Sequence, residues 1–227
     1  MRLYIDSANT KQISHLCEYF PISGVTTNPS IIAKENQPYL DLLKEIRTIL
    51  GNEKELFVQT LGDKAEEIVA EAEHIIEQIK GKVIIKIPVT DEGIKAIKIL
   101  KEKGINTLAT TIYTSFQAYI AASAGASFVA PYVNRIDNLT GNGVNVVKEI
   151  VQIFNQAQLS CEIIGASFKN VQQVHDACLA GAHAVAVAPD IIEKFIYFPS
   201  TLNDVAQFKR EWKAVYGEEC DSLIKTK

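Results

Sequence analysis

Val83-Ile84-Ile85-Lys86-Ile87-Pro88-Val89-Thr90 reads as a strand buried on both faces and interrupted by a single charge. Apolar residues, most of them β-branched, occupy both parities of the run. That pattern suits a parallel strand covered by helices, not the in-and-out alternation of a half-exposed antiparallel one. Lys86 therefore needs a physical reason. An ammonium buried without a partner is costly, so such a lysine snorkels outward, is ion-paired, or is kept as the neutral amine. The third case is carbonyl chemistry: desolvation weakens the preference for the charged form, and the free amine can attack a ketone to form a Schiff base.

Runs of the same kind recur along the chain: Leu3 to Ser7, Gly24 to Asn28, Glu55 to Leu61, Asn106 to Ile112, Phe128 to Val133, Glu162 to Ser167 and Ala184 to Ala188. With Val83 to Val89 they predict eight strands. Helical patterns separate them, the clearest with Ala65, Ile68, Val69, Ala72, Ile75, Ile76 and Ile79 on one face and glutamates on the other. Gly81, Gly104, Gly125 and Gly181 sit where helices stop before the next strand. Alternation without a Pro/Ser-rich linker or charge block leaves an open doubly wound sheet or a closed barrel. No GxGxxG or GxxxxGK[ST] follows any strand, and eight βα units in one domain favour the barrel. The expected fold is α/β, a (β/α)8 TIM barrel forming a single domain over residues 1–227, with an additional C-terminal helix at about 201–216. Val205, Phe208, Trp212 and Val215 fall at helical spacing there, after Pro199-Ser200-Thr201. The polar tail from Glu218 to Lys227 is expected to be loosely ordered.

Composition bounds the function. The chain has 227 residues, 47% of them hydrophobic, and a formal net charge of −4. This balance, with a pI of about 5.6, carries no electrostatic footprint for nucleic acid or an anionic membrane surface, so any anion must be caught locally. Asp6 interrupts the start too early for a signal-peptide core, and no apolar run is long enough to span a bilayer. A cytoplasmic protein with neither nucleic-acid nor membrane partners is expected. Cys17, Cys161, Cys178 and Cys220 lack CxxC spacing, and His15, His74, His175 and His183 form no ligand pair. Neither a metal site, a disulfide framework nor a cofactor is expected.

A barrel places its chemistry at the carboxyl ends of the strands and in the loops that follow. Polar residues collect there: Asp6, then Thr26, Thr27 and Asn28, then Gln59 and Thr60, Lys86, Thr110 and Thr111, Tyr132, Asn134 and Arg135, and Ser167 and Lys169. Singly, Asp6 or Asn28 also suits a helix cap, threonine is common in strands, and Tyr132 suits a core. Seven strands ending in hydrogen-bonding groups around one lysine form a constellation.

Four stretches resemble one family: Val25-Thr26-Thr27-Asn28-Pro29-Ser30, Ile85-Lys86-Ile87-Pro88-Val89-Thr90, Ala130-Pro131-Tyr132-Val133-Asn134-Arg135-Ile136-Asp137 and Ala166-Ser167-Phe168-Lys169. In order and over the whole chain, they look like the small transaldolases and fructose-6-phosphate aldolases, with the closest match to the latter. The resemblance implies a metal-free class I aldolase barrel whose Schiff-base lysine, on the fourth strand, is Lys86. It implies Asp6 beside the amine, Thr26 and Asn28 on the hydroxyls of a dihydroxyacetone unit, and Arg135, Ser167 and Lys169 as a phosphate clamp. The substrate is then a small sugar phosphate. In transaldolases of this family a glutamate on the third strand moves the proton through a water; the matching position here is Gln59, which cannot. Tyr132, where transaldolases carry phenylalanine, can serve as the acid/base group, with Gln59 and Thr110 orienting the water. The resemblance thus favours an aldolase cleaving fructose 6-phosphate to dihydroxyacetone and glyceraldehyde 3-phosphate. A transaldolase passing the dihydroxyacetone unit between sugar phosphates is the alternative, and a non-catalytic phosphosugar-binding barrel a minor one. It also implies a homo-oligomer, pentamer or decamer, built through the C-terminal helix, whose apolar stripe read by itself equally suits a helix closing the barrel's own flank.

Overall fold

The computed structural model describes residues 1–220 and 222–225. Strands form at each of the eight apolar runs: β1 Arg2–Asp6, β2 Ile22–Thr26, β3 Glu55–Gln59, β4 Val83–Pro88, β5 Thr107–Ile112, β6 Phe128–Pro131, β7 Glu162–Gly165 and β8 Ala184–Val187. All pair in parallel in chain order, and β1 pairs with β8, so the sheet closes on itself as the expected (β/α)8 barrel. Several strands end earlier than the sequence predicts, β3 at Gln59 and not Leu61, β6 at Pro131 and not Val133. The polar residues in the last ladder positions, such as Asp6, Thr26, Gln59 and Thr110, stand at the barrel mouth.

The helices are α1 Thr10–Tyr19, α2 Pro29–Lys34, α3 Tyr39–Leu50, α4 Ala65–Gln78, α5 Asp91–Glu102, α6 Ser115–Ser123, α7 Val133–Asp137, α8 Gly143–Ala157, α9 Val171–Leu179, α10 Pro189–Ile192 and α11 Pro199–Tyr216. Their starts are set by short polar side chains. Asn9, Asn28, Thr90, Thr114, Asn142 and Asn170 each accept a hydrogen bond from the backbone N–H three residues on, which satisfies a donor the helix leaves free. Gly81, Gly104, Gly125 and Gly181 all have positive φ, between 73 and 107°, as chain reversals after a helix require. The predicted apolar face of α4 is buried, apart from Ile76, which is partly so.

Within the barrel, alternate residues point inward, and the inward set stacks in layers. Tyr4, Phe57, Ile84, Leu108, Phe128, Ile164 and Ala184 fill the lower part. The rings of Tyr4 and Phe57 meet edge-on at 5.0 Å, and those of Phe57 and Phe128 at 5.5 Å. Below them the Tyr4 hydroxyl bonds the Glu55 carboxylate, while Arg2 pairs with Glu55 and Glu162 and lies over the Tyr4 and Phe128 rings. The lower end is therefore closed by packed aromatics and an ion-pair network. Lys86, two residues on from Ile84 and so on the same inward face, stands above this plug.

Met1–Ile192 form one compact unit, the barrel, and the chain from Glu193 forms a second. The second contains α11, which begins at Pro199, ahead of the predicted residue 201, because proline is favoured in the first turn of a helix. Val205, Phe208 and Val215 of its apolar stripe are exposed, and Trp212 is partly buried. In the tail expected to be loose, Leu223–Lys225 form a 3-10 turn, and Asp221, Thr226 and Lys227 lie outside the described residues. Among the described residues no helix is long and apolar enough to cross a membrane.

The β1–β2 pairing shifts register between Leu3 and Tyr4, opposite Gly24, and a Cβ on Gly24 would stand 2.0 Å from the Glu55 carbonyl oxygen. Gly24→Ala must push β2 and β3 apart and should destabilise the protein by about 1–3 kcal/mol, the scale of overpacking. Urea denaturation reads this directly; an unchanged midpoint would contradict the close approach of these two strands.

Candidate active site

At the carboxyl ends of the strands lies a cavity of about 100 Å³. Lys86 lines its inner end and is 6% exposed. The Lys86 ammonium group donates to the Thr27 carbonyl at 2.5 Å. Burial drives its pKa below the ordinary lysine range, and the nearby Asp6 carboxylate opposes this only in part. An amine so placed gives up its proton more readily than a surface lysine does.

Asp6, at the end of β1, lines the same cavity, and its Oδ1 accepts from the Thr26 hydroxyl at 2.7 Å across the β1–β2 pair. Asn28 lines it too. Its Oδ1 caps α2 by accepting from the Ile31 N–H at 3.0 Å, which leaves the amide NH2 as the group able to meet a ligand. The sequence left Asp6 and Asn28 open between cap and site. Asn28 is a cap that also lines the cavity, whereas Asp6 binds a neighbouring strand's side chain and caps no helix.

In the same cavity, Thr110 Oγ1, on the neighbouring strand β5, lies 2.8 Å from the Tyr132 hydroxyl oxygen. The Arg135 guanidinium sits 4.6 Å over the Tyr132 ring. Burial, the largest effect, raises the phenol's pKa; Thr110 and the Arg135 charge pull it down, and Asp6 pushes it up. Arg135 stands on the short helix α7, which is tied to α9 by Gln173: its Nε2 donates to Asn134 Oδ1 at 3.3 Å and to Asp137 Oδ2 at 2.8 Å. Ser167 completes the rim, at a φ of 61°, with its carbonyl accepting from the Asn134 N–H at 2.8 Å.

Eight of the expected residues, Asp6, Thr26, Asn28, Lys86, Thr110, Tyr132, Arg135 and Ser167, thus line one cavity. Gln59 and Lys169 do not. Gln59 pairs in register with Lys86 across the β3–β4 ladder and lines a neighbouring, mostly apolar cavity of about 420 Å³ bounded by Tyr39, Leu61 and His74. Lys169 is exposed in the loop after β7, with its backbone N–H bonded to Gln173 Oε1 at 2.8 Å.

Sequence reasoning passed over the residues that make the space. Ala130, Ala166 and Ala186 line the cavity beside the polar set. Small side chains on β6 to β8 leave room opposite Lys86 where larger ones would fill the barrel. The signal was present as inward parity: Ala130 lies between Phe128 and Tyr132, and Ala186 follows Ala184 by two. The Thr27 carbonyl was also missed, since a backbone acceptor leaves no mark on composition. Among the described residues no group of three or more His, Cys, Asp or Glu is placed to hold a metal ion.

The arrangement is a desolvated primary amine facing a carboxylate, a hydrogen-bonded phenol and several hydroxyl and amide groups, with a guanidinium at the rim. It can attack a carbonyl, hold a polyol and move a proton. The model of the family described as transaldolase/fructose-6-phosphate aldolase matches residues 3–225. That match spans nearly the whole chain, from β1 into the last turn, and the protein belongs to the transaldolase/fructose-6-phosphate aldolase family of enzymes.

Proposed function

We propose that the protein is a Schiff-base aldolase that reversibly cleaves fructose 6-phosphate to dihydroxyacetone and glyceraldehyde 3-phosphate. The observation that carries this reading is the pairing of a buried amine, Lys86, with a phenol, Tyr132, held by Thr110 across the same small cavity. In the proposed cycle the neutral Lys86 amine adds to the C2 carbonyl, and loss of water gives the iminium, whose positive charge the Asp6 carboxylate favours. Tyr132, as the phenolate and directly or through a water, takes the proton of the C4 hydroxyl as the C3–C4 bond breaks, and the electron pair passes into the enamine. The aldehyde phosphate leaves, the phenol returns the proton to C3, and hydrolysis frees dihydroxyacetone and the amine. Thr26 and Asn28 would bind the hydroxyls of the three-carbon unit. Arg135 and Ser167 would hold the phosphate, with the exposed Lys169 reaching it from the loop.

Preference for aldol cleavage over transfer rests on residue type at two positions. Gln59 has no proton to exchange near neutral pH, which leaves the phenol to do that work. The exposed apolar stripe of α11 supports a homo-oligomer as part of the same proposal.

The deciding experiment supplies fructose 6-phosphate alone and measures release of free dihydroxyacetone. Efficient transfer to an added aldose phosphate with no free dihydroxyacetone would make the protein a transaldolase. Borohydride with dihydroxyacetone should attach the ligand to Lys86, more rapidly as pH rises through the lowered pKa of the amine. Lys86→Arg should abolish both trapping and turnover while leaving the fold, because arginine is no amine nucleophile near neutral pH. Attachment to another lysine, read by peptide mass spectrometry, would defeat the mechanism.

Tyr132→Phe should lower aldolase turnover by roughly 10²-fold or more, the scale of a positioned acid/base group. Turnover close to wild type would remove the phenol from the mechanism. Gln59→Glu should raise transfer relative to free cleavage.

Neutralising Arg135 should raise KM for glyceraldehyde 3-phosphate far more than for glyceraldehyde, since a charge-assisted hydrogen bond is worth roughly 1.5–3 kcal/mol. Lys169→Ala should act in the same sense and more weakly, given its exposure. Equal losses on both acceptors would reject the phosphate assignment.

A further inference from the structure

β5 does not run evenly to its end. Leu108 pairs with Phe128 and Ala109 with Val129, but the next pair is Ile112 with Pro131, so β5 uses one residue more than β6 over the same span. Within this bulge Thr111 has a φ of 60°. A β-branched residue in the left-handed region is a true outlier, and such residues persist where the surroundings hold them. Here the hold is visible. The Thr111 hydroxyl donates to the Thr110 carbonyl at 2.6 Å, and the Val89 N–H at the end of β4 reaches that carbonyl at 3.1 Å and the Thr111 hydroxyl at 3.4 Å.

The bulge decides what surrounds Tyr132. In an unbroken ladder Ile112 would stand opposite Tyr132. Instead the Ile112 carbonyl accepts the Tyr132 N–H at 3.0 Å, and the Tyr113 ring meets the Tyr132 ring edge-on at 5.9 Å. Thr110 keeps its hydroxyl on the phenol at 2.8 Å.

We propose that Thr111 is a positioning residue: its left-handed backbone forms the bulge that aims the Thr110 hydroxyl at the Tyr132 phenol oxygen. The bulge and the Thr110 hydroxyl form a cradle that fixes the phenol's orientation over the cavity. Donors bind the ionised oxygen more strongly than the neutral one, so the cradle offsets part of the effect of burial on the phenol. The charged groups facing Tyr132 are Asp6 from β1, Lys86 from β4 and Arg135 from α7. Burial and Asp6 raise its pKa, while the cradle and Arg135 lower it, so loss of the cradle moves the titration upward. The role of Thr111 in turnover rests on the reading of Tyr132 as proton carrier; the cradle does not.

Two variants separate backbone from side chain. Thr111→Val keeps the branched shape, loses the hydroxyl that locks the turn and prefers extended backbone. Thr111→Gly adopts positive φ freely and preserves the bulge without any side chain. Enzyme carrying 3-fluorotyrosine, whose phenol is more acidic, allows the Tyr132 titration to be followed by fluorine NMR, with Tyr132→Phe assigning the resonance. Thr111→Val should raise the midpoint by about one pH unit, the scale of one charge-assisted hydrogen bond. It should lower kcat by about tenfold, leaving KM for the sugar phosphate within about twofold, and Thr111→Gly should restore both midpoint and kcat to within about twofold to threefold of wild type. A wild-type midpoint in Thr111→Val, or a glycine variant displaced as far as the valine one, overturns the proposal. Should the valine variant not fold, Thr111→Ala makes the same comparison with a smaller side chain. If the midpoint moves as expected and Tyr132→Phe turns over normally, the cradle stands and the proton-carrier reading fails.

Discussion

A primary amine buried at 6% exposure is the constraint around which this barrel is arranged. Water cannot stabilise its charge there, so the fold must either pair it fully or let it lose its proton. It does neither completely. Lys86 has one backbone acceptor, the Thr27 carbonyl, and one carboxylate, Asp6, whose attraction falls short of the cost of burial. The amine therefore reaches the neutral form, the form that reacts with carbonyls, more readily than a surface lysine. A second carboxylate would favour the ammonium, and an apolar residue in place of Asp6 would leave burial unopposed.

The two ends of the barrel divide the work. Below Lys86, aromatic rings packed edge-on and the Arg2–Glu55–Glu162 network close the interior, so that end contributes rigidity and no passage. Above it, alanines on β6 to β8 leave a hollow, and threonine, asparagine, tyrosine and arginine surround it. A rigid lower half can hold strained backbone above it. Thr111 and Ser167, both with φ near 60°, stand at the mouth on either side of β6, the strand that leads into Tyr132. Strain at such places is tolerated because strong local bonds and a packed neighbourhood leave the chain no cheaper arrangement.

Much of the fold was legible in the chain. Eight apolar runs became eight strands, glycines ended helices where predicted, and Lys86 stood out because one charge in a doubly apolar strand has few explanations. Asp6, Thr26, Thr110 and Tyr132 were legible as strand-end polar residues once the barrel was inferred, since period-2 parity aims them inward. Gln59 and Lys169 show the limit of that reasoning. Both lie at strand ends or just beyond, yet one lines the neighbouring cavity and the side chain of the other is exposed. Where the boundary between adjoining cavities falls, and how a loop leaves the sheet, depend on packing that periodicity does not carry.

The sequence by itself determined the alternation of strands and helices, the closure into a barrel and the place of one lysine in a doubly apolar strand, because these follow from the period and polarity of local runs. Only the tertiary structure decided how deeply Lys86 is buried, which carbonyl it meets, and that small residues on three distant strands leave a space opposite it. It alone decided the bulge at Thr111, which depends on β4 and β6 as much as on β5. Such features arise where strands far apart in the chain meet, and the energies that select them, desolvation, hydrogen bonds across the barrel and close packing, are properties of the assembled fold and not of any one segment.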